Sequence, residues 1–258
     1  MKEHGTDRKF ANTLARGLTV LQAFNTSHDP LYHADIAQRT GLPKPTVSRL
    51  TYTLCKLGYL SQPERNGPFF PGPAAVALGA AASLSMPFVQ SVAGAMQFLA
   101  DETETMTAIA VCDGAEMVLT HIWQPSPGPV LSLRPGHRIP VMGTSSGLAF
   151  LSALNQDCFE AMAPTPGMRG FRENGHLQLL RRGFTIAPRE HRRSGPVRAV
   201  GVPFFAQAFG APVVFASGGL SGVVQDRLEK EIGPALCDIV QALERRLGQR
   251  AALIAGRK

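Results

Sequence analysis

Two stretches of the 258-residue sequence hold residues whose types and spacing could do chemistry. In the first, Lys44, Pro45, Thr46, Ser48, Arg49, Tyr52 and Lys56 crowd into one short run. At about 100° per helical residue, Pro45, Ser48, Arg49, Tyr52 and Lys56 share one face, and Val47, Leu50, Leu54 and Leu57 share the other. Arg49 has the planar fork that pairs with guanine, and Ser48 can donate or accept at a base edge. Lys44, Thr46 and Lys56 suit phosphate oxygens. An ordinary amphipathic helix with a solvated polar face would show the same division.

The second stretch is Gly143-Thr144-Ser145-Ser146-Gly147, between apolar Ile139 to Met142, which reads as a strand, and apolar Leu148 to Leu154, which reads as a helix. Unpaired amide hydrogens at a helix start favour an anion such as a carboxylate, and the serine hydroxyls add donors. The same five residues spell G-x-S-x-G, the pattern of a hydrolase nucleophile elbow, so a serine hydrolase using Ser145 is the alternative. It ranks second. A triad needs an acid and a histidine downstream, and only His176 and His191 follow. An α/β-hydrolase also needs several parallel strands around the nucleophile, for which the chain before Ser145 has no room.

The elements that must position these residues can be read outward from them. Phe10, Leu14, Leu18, Leu21 and Phe24 recur every three or four residues, along one stripe of a helix. His33 to Thr40 reads as a short helix with Ile36 and Ala37 inward, ended by Gly41, which permits a left-handed turn. Pro45 suits the first turn of the next helix, where a missing N–H costs nothing. Two short helices about a glycine turn make a helix-turn-helix unit, whose second helix enters the DNA major groove. Gly58 to Ser61, a turn over Pro63 to Gly67, and Pro68 to Phe70 read as a wing, with Arg65 at its tip.

Alanine-rich Pro73 to Ser85 suits a linker helix that packs against its own copy, or an intramolecular spacer. A helix over Phe88 to Glu102 follows, then strands over Thr107 to Cys112, Glu116 to Trp123 and Val130 to Arg134, with Asp113-Gly114 as a hairpin signal. Strands over Val197 to Phe205 and Pro212 to Ser217 precede a long helix over Val223 to Leu247. This is an α+β layout, an antiparallel sheet flanked by helices. Arg189, Arg192, Arg193 and Arg198 form a basic cluster that suits an acidic effector, a neighbouring subunit or a solvated loop, and Trp123 suits a sheet edge.

Composition bounds the partners. Hydrophobic residues make up 44% and charged residues 17%, enough to bury a core, and the net charge is +7. Residues 1 to 80 hold nine Lys/Arg against five Asp/Glu, whereas the remaining residues hold seventeen against fourteen, so the amino-terminal segment is the candidate for a polyanion partner. Cys55, Cys112, Cys158 and Cys237 are far apart, and they and the pair His28 and His33 show no metal-ligand spacing. We expect reduced cysteines, no metal and no cofactor. No run approaches the ~18 apolar residues of a membrane span, and Met1 to Phe10 is polar, which predicts a cytoplasmic protein with no membrane partner.

The phrases FANTLARGLTVLQAF, ADIAQRTGLPKPTVSRLTYTLCKLGYL and GPAAVALG resemble the amino-terminal domain of the IclR family of bacterial regulators. RPGHRIPVMGTSSGLAFLSAL and LLRRGFTIAPREHRRSGPVRAVGVPFF resemble its effector-binding domain. The resemblance implies a winged helix-turn-helix domain over 1–73, a linker helix over 74–87, and a GAF-like effector-binding and oligomerisation domain over 88–258. It implies effector contacts at Met142, Thr144, Ser145 and Ser146, and at Arg198, Ala199, Ser217 and Gly218. Partners would be double-stranded operator DNA, a small organic effector such as an aromatic acid, and a second copy, as a homodimer or tetramer. Three positions depart from the family pattern. Phe69-Phe70-Pro71-Gly72 stands where the wing usually reads close to Tyr-Arg-Leu-Gly, Leu148 where a Lys or Arg is frequent, and Ala199 where a cysteine is common.

Overall fold

The computed structural model describes residues 9–25, 29–84, 86–126, 131–188, 197–220 and 226–248. The chain forms two units that divide between Ser85 and Met86.

The first unit holds α1 (Asn12–Gln22), α2 (His33–Thr40), α3 (Lys44–Lys56), β1 (Leu60–Ser61), β2 (Phe70–Pro71) and α4 (Pro73–Leu84). Gly41 ends α2 at φ 69°, a left-handed conformation that costs a residue with a Cβ about 1 kcal/mol. Pro43 then caps α3 and Pro45 sits in its first turn. Val20, Ile36, Val47, Leu54, Leu60 and Phe69 form the core, with β1 and β2 paired antiparallel at its edge.

Two sequence expectations change here. Of the apolar stripe at α1, Leu21 and Phe24 pack against the core beside buried Val20, whereas Leu14 and Leu18 are 63% and 51% exposed. On α3 the fourth inward residue is Thr51, and Leu57, lying past the last turn, is exposed. Thr51 is buried because its polar group is satisfied. Its Oγ1 donates to Val47 O at 3.0 Å and lies 3.1 Å from His33 Nε2, so His33 must be the donor there.

In the second unit, five antiparallel strands follow the order β5-β4-β3-β7-β6: β3 (Met106–Asp113), β4 (Glu116–Trp123), β5 (Arg138–Pro140), β6 (Val197–Ala206) and β7 (Ala211–Leu220). Side-chain alternation along the strands divides the interior in two. Ile109, Val213 and Phe215 pack with Met96 and Leu99 of α5 (Phe88–Thr103) and with Leu236 and Val240 of α9 (Gly233–Arg246). Ala108, Ala110 and Val214 pack with Leu148 and Leu151 of α6 (Ser145–Ala153) and Phe171 of α8 (Pro166–Arg182).

The expected strand over Val130 to Arg134 is not formed by its described part, Leu131 to Arg134, and Arg138–Pro140 pairs with β4 instead. The carbonyls of Leu131 and Leu133 accept from the Gln124 side chain rather than from a strand. The long final helix is divided, a π-helical turn over Leu228–Ile232 leading into α9, whose first turn holds Pro234. A proline there has no N–H to give to the turn before it. The helices α7 (Gln156–Ala161) and α8 had no counterpart in the sequence reading. Among the described residues no single helix is long and apolar enough to cross a membrane.

Candidate DNA interface and effector cavity

The solvent side of α3 carries Lys44, Pro45, Ser48, Arg49, Tyr52 and Lys56, all exposed, with Thr46 half-buried at its margin. The helix has three basic residues and no carboxylate. Among the described residues, the side chains of Lys44, Ser48 and Arg49 make no internal hydrogen bond or ion pair, and neither does Arg65 at the exposed wing turn. Lys56 Nζ lies 5.6 Å from the centroid of the Tyr52 ring, a cation–π contact that holds the ammonium beside the helix. The buried side of α3 is anchored by Val47, Thr51 and Leu54. The outward groups are therefore fixed in place yet free to bind something else.

In the second unit a cavity of about 470 Å³ is lined by all eight residues expected to meet an effector: Met142, Thr144, Ser145, Ser146, Arg198, Ala199, Ser217 and Gly218. The turn before α6 is built by two backbone devices. Gly143 takes φ 83°, and a Cβ on Gly147 would lie 1.8 Å from the Val141 carbonyl, so only glycine lets the helix start there. Thr144 caps the helix, its Oγ1 accepting from Gly147 N at 3.1 Å and donating to Pro140 O at 2.8 Å.

The serines play unequal parts. Ser145 Oγ donates to Ala199 O at 2.7 Å and accepts from Ala187 N at 2.9 Å, tying α6 to β6 and to the strand-like segment at Thr185. Ser146 is 3% exposed, and among the described residues its hydroxyl has no partner. Of the two hydroxyls expected to serve as donors, only that of Ser146 has a hydrogen to give. Ser217 and Gly218 line the cavity from β7, and Leu119, Ile139 and Ile186 supply much of its apolar wall. Arg138 is also at the wall, but it donates to Glu116 at 2.6 Å and to Asp113 at 2.7 Å. Burial works against its charge, and these two carboxylates outweigh burial and hold its pKa above the ordinary value.

This geometry bears on the hydrolase alternative. The Ser145 hydrogen is committed to a carbonyl, and its backbone lacks the positive φ seen at Gly143. His176 lies on α8 and is no partner of Ser145, whereas His191, like Arg189, Arg192 and Arg193 of the basic cluster, lies outside the described residues. Leu148, at the position where a cation was weighed, is fully buried in the core. Sequence reasoning missed His137, Ile186 and Ala187, which also line the cavity. All three lie inside the two phrases that resemble the effector-binding domain, which was the signal that could have found them.

Comparison with known proteins decides the family. Residues 13–64 match the IclR helix-turn-helix domain. Over its length the chain is 31% identical to an IclR family transcriptional regulator from Brucella abortus, the match covering 96% of each chain at a TM-score of 0.76. The chain belongs to the IclR family of transcriptional regulators. It is 27% identical to the HTH-type transcriptional regulator TsaQ1/TsaQ2 of Comamonas testosteroni, across 95% of this chain and 90% of that protein. An IclR homolog from Microbacterium hydrocarbonoxydans, solved in complex with 4-hydroxybenzoate, shares the fold at 20% identity and a TM-score of 0.65, the match covering 89% of this chain and 99% of that one. As an IclR-family member the chain is a DNA-binding transcriptional regulator and not an enzyme.

Proposed function

We propose that this IclR-family regulator binds a roughly palindromic operator as a homodimer, alone or paired into a tetramer, and that an organic acid in the effector cavity changes its affinity for DNA. Residues 1–73 act as the DNA-binding domain, 74–87 as the linker helix, and 88–258 as the effector-binding and oligomerisation domain. Arg49 and Ser48 read base edges, Tyr52 and Pro45 meet the groove wall, and Lys44, Thr46, Lys56 and Arg65 contact phosphates.

The observation that carries this reading is the outward face of α3, cationic, backed by a packed core, and with the Lys44, Ser48 and Arg49 side chains unpaired among the described residues. A second copy is favoured by apolar side chains left in water on α1 and α4: Leu14, Leu18, Val76, Leu78 and Leu84 are all more than half exposed, and α4 buries none of its side chains. For the effector, the donors at the start of α6, with Ser146 foremost, suit a carboxylate, and the apolar wall suits a carbon skeleton. The homolog solved with 4-hydroxybenzoate offers an acid of that kind.

The test is a thermal-shift screen of organic acids followed by titration of each hit into a protein–DNA complex. A ligand of the folded state raises Tm by mass action, and coupling requires that it also change DNA affinity. A hit that stabilises the protein and leaves DNA affinity constant contradicts the proposal.

A further inference from the structure

His137 stands exposed at the wall of the effector cavity, and among the described residues its ring has no hydrogen-bond or ionic partner. Its direction follows from the strand pairing. Gly136, at φ 89°, donates to Leu119 O at 2.7 Å, and Leu119 N donates to His137 O at 2.9 Å. Gly136 and His137 thus stand together opposite Leu119, in a glycine bulge. Partners across two strands share a face, and both Leu119 and Ile139, two residues beyond His137, line the cavity. The His137 side chain is therefore on the cavity side of the sheet.

The other charged residues around it are turned elsewhere. Arg138 pairs with Val118, one step out of phase with Met117 and Leu119, so it is on the opposite face, where Glu116 and Asp113 hold it. Arg198 is in step with Val200 and Val202, which pack toward α5 and α9, and His121 is opposite Ile109 on that same side. No carboxylate lines the cavity, and α6 has no ionisable residue. The turn itself adds only Arg134, whose carbonyl accepts from His137 N at 3.0 Å. Taking an anion out of water is costly unless it meets a partner. Among the described residues, the cavity side of the sheet offers one side chain able to meet it with a positive charge.

We infer that His137 supplies the counter-charge for the effector, its imidazolium holding the anionic group, so that effector binding is linked to uptake of a proton. The inference rests on the organic-acid reading above and adds to it the source of the positive charge. Ser146 and the amides at the start of α6 donate at any pH, whereas the His137 contact exists in one protonation state only. An imidazole changes charge between about pH 5 and 8, where a carboxylate is already ionised. The ion pair is present at low pH and lost as pH rises, so affinity for an acid falls with rising pH.

The experiment is calorimetric titration of the full chain with 4-hydroxybenzoate, phenylacetate and 3-hydroxybutyrate, and with the amide of each, at about pH 6 and about pH 8. An acid that binds should do so about fivefold more tightly at the lower pH, and an amide that binds should do so equally at both. The heat of binding an acid should also vary with the ionisation enthalpy of the buffer, as proton uptake requires. His137→Gln should keep the weaker affinity at both pH values, and His137→Lys, which retains a cation, the tighter one at both. A native affinity that is constant with pH would overturn the inference while leaving the effector reading intact. So would a pH dependence that persists in His137→Gln or is shared by the amides. The comparison of acid with amide in the native protein stands even if a variant fails to fold. Failure of every acid to bind would instead remove the organic-acid reading and the inference with it.

Discussion

Ser145 shows how a residue can be prominent in a sequence and still be structural. Its hydroxyl holds the Ala187 amide and the Ala199 carbonyl, so Ser145→Ala should leave buried backbone groups unpaired and cost roughly 1–3 kcal/mol by urea denaturation. DNA affinity without effector should be unchanged. Lys56 is an exposed cation resting beside the Tyr52 ring, and if it contacts phosphate as proposed, Lys56→Ala should weaken binding to all duplexes alike and flatten the salt dependence by about one unit. A variant that changed sequence preference would place Lys56 among the base readers. The cysteines separate by environment. Burial, and then the neighbouring Asp113 charge, push the Cys112 thiol up to about 11, leaving on the order of 0.1% thiolate at pH 8. Iodoacetamide at that pH should label exposed Cys158 well before Cys112, and equal labelling would contradict the burial of Cys112.

At the scale of elements, glycines divide into those needed for conformation and those needed for space. Gly41→Ala meets nothing within 4 Å and should cost about 1 kcal/mol for its left-handed φ. Gly147→Ala would drive a methyl into the Val141 carbonyl and should cost more than about 4 kcal/mol, enough to lose the cavity, as denaturation midpoints of the two variants would show. The same punctuation made α2 and α3 legible in the sequence, since Gly41 and Pro45 stop and start helices whatever surrounds them. The helix α8 was not legible because its buried residues are Phe171, Gly175 and Leu179, and the middle of that four-residue spacing is a glycine with no apolar signal. Gly175 is required because Leu148 and Ser152 of α6 occupy the space a Cβ would need. The misplaced strand has a related cause. Leu131 and Leu133 do alternate toward the core, which their pattern revealed, but pairing of the backbone goes to Arg138–Pro140, which overlaps the strand read over Ile139 to Met142 and stops short of Val141. At α1 the apolar stripe divides, Leu21 and Phe24 packing against the core while Leu14 and Leu18 stay exposed, because periodicity cannot tell an internal core from a surface left for another chain.

For the whole molecule, the uneven charge and the uncovered apolar surfaces make one argument. The basic first unit draws the chain to DNA at long range, with a strength that falls as salt rises, and the exposed stripe on α1 with the unburied α4 calls for a second copy. Sedimentation equilibrium should find a dimer or larger, and Leu18→Glu should shift it toward monomer and weaken DNA binding together. A monomer at every concentration would contradict the assembly proposed. Which duplex is bound depends on α3, and the claim that its outward face reads sequence is tested most directly by selecting binding sites from a random duplex library with the native chain and with Arg49→Ala. The native protein should enrich two half-sites in inverted repeat, and Arg49→Ala should lose one defined base pair, about 1–3 kcal/mol of discrimination, in each half. Enrichment of the same motif at the same stringency by both proteins would show that α3 does not read the operator through Arg49.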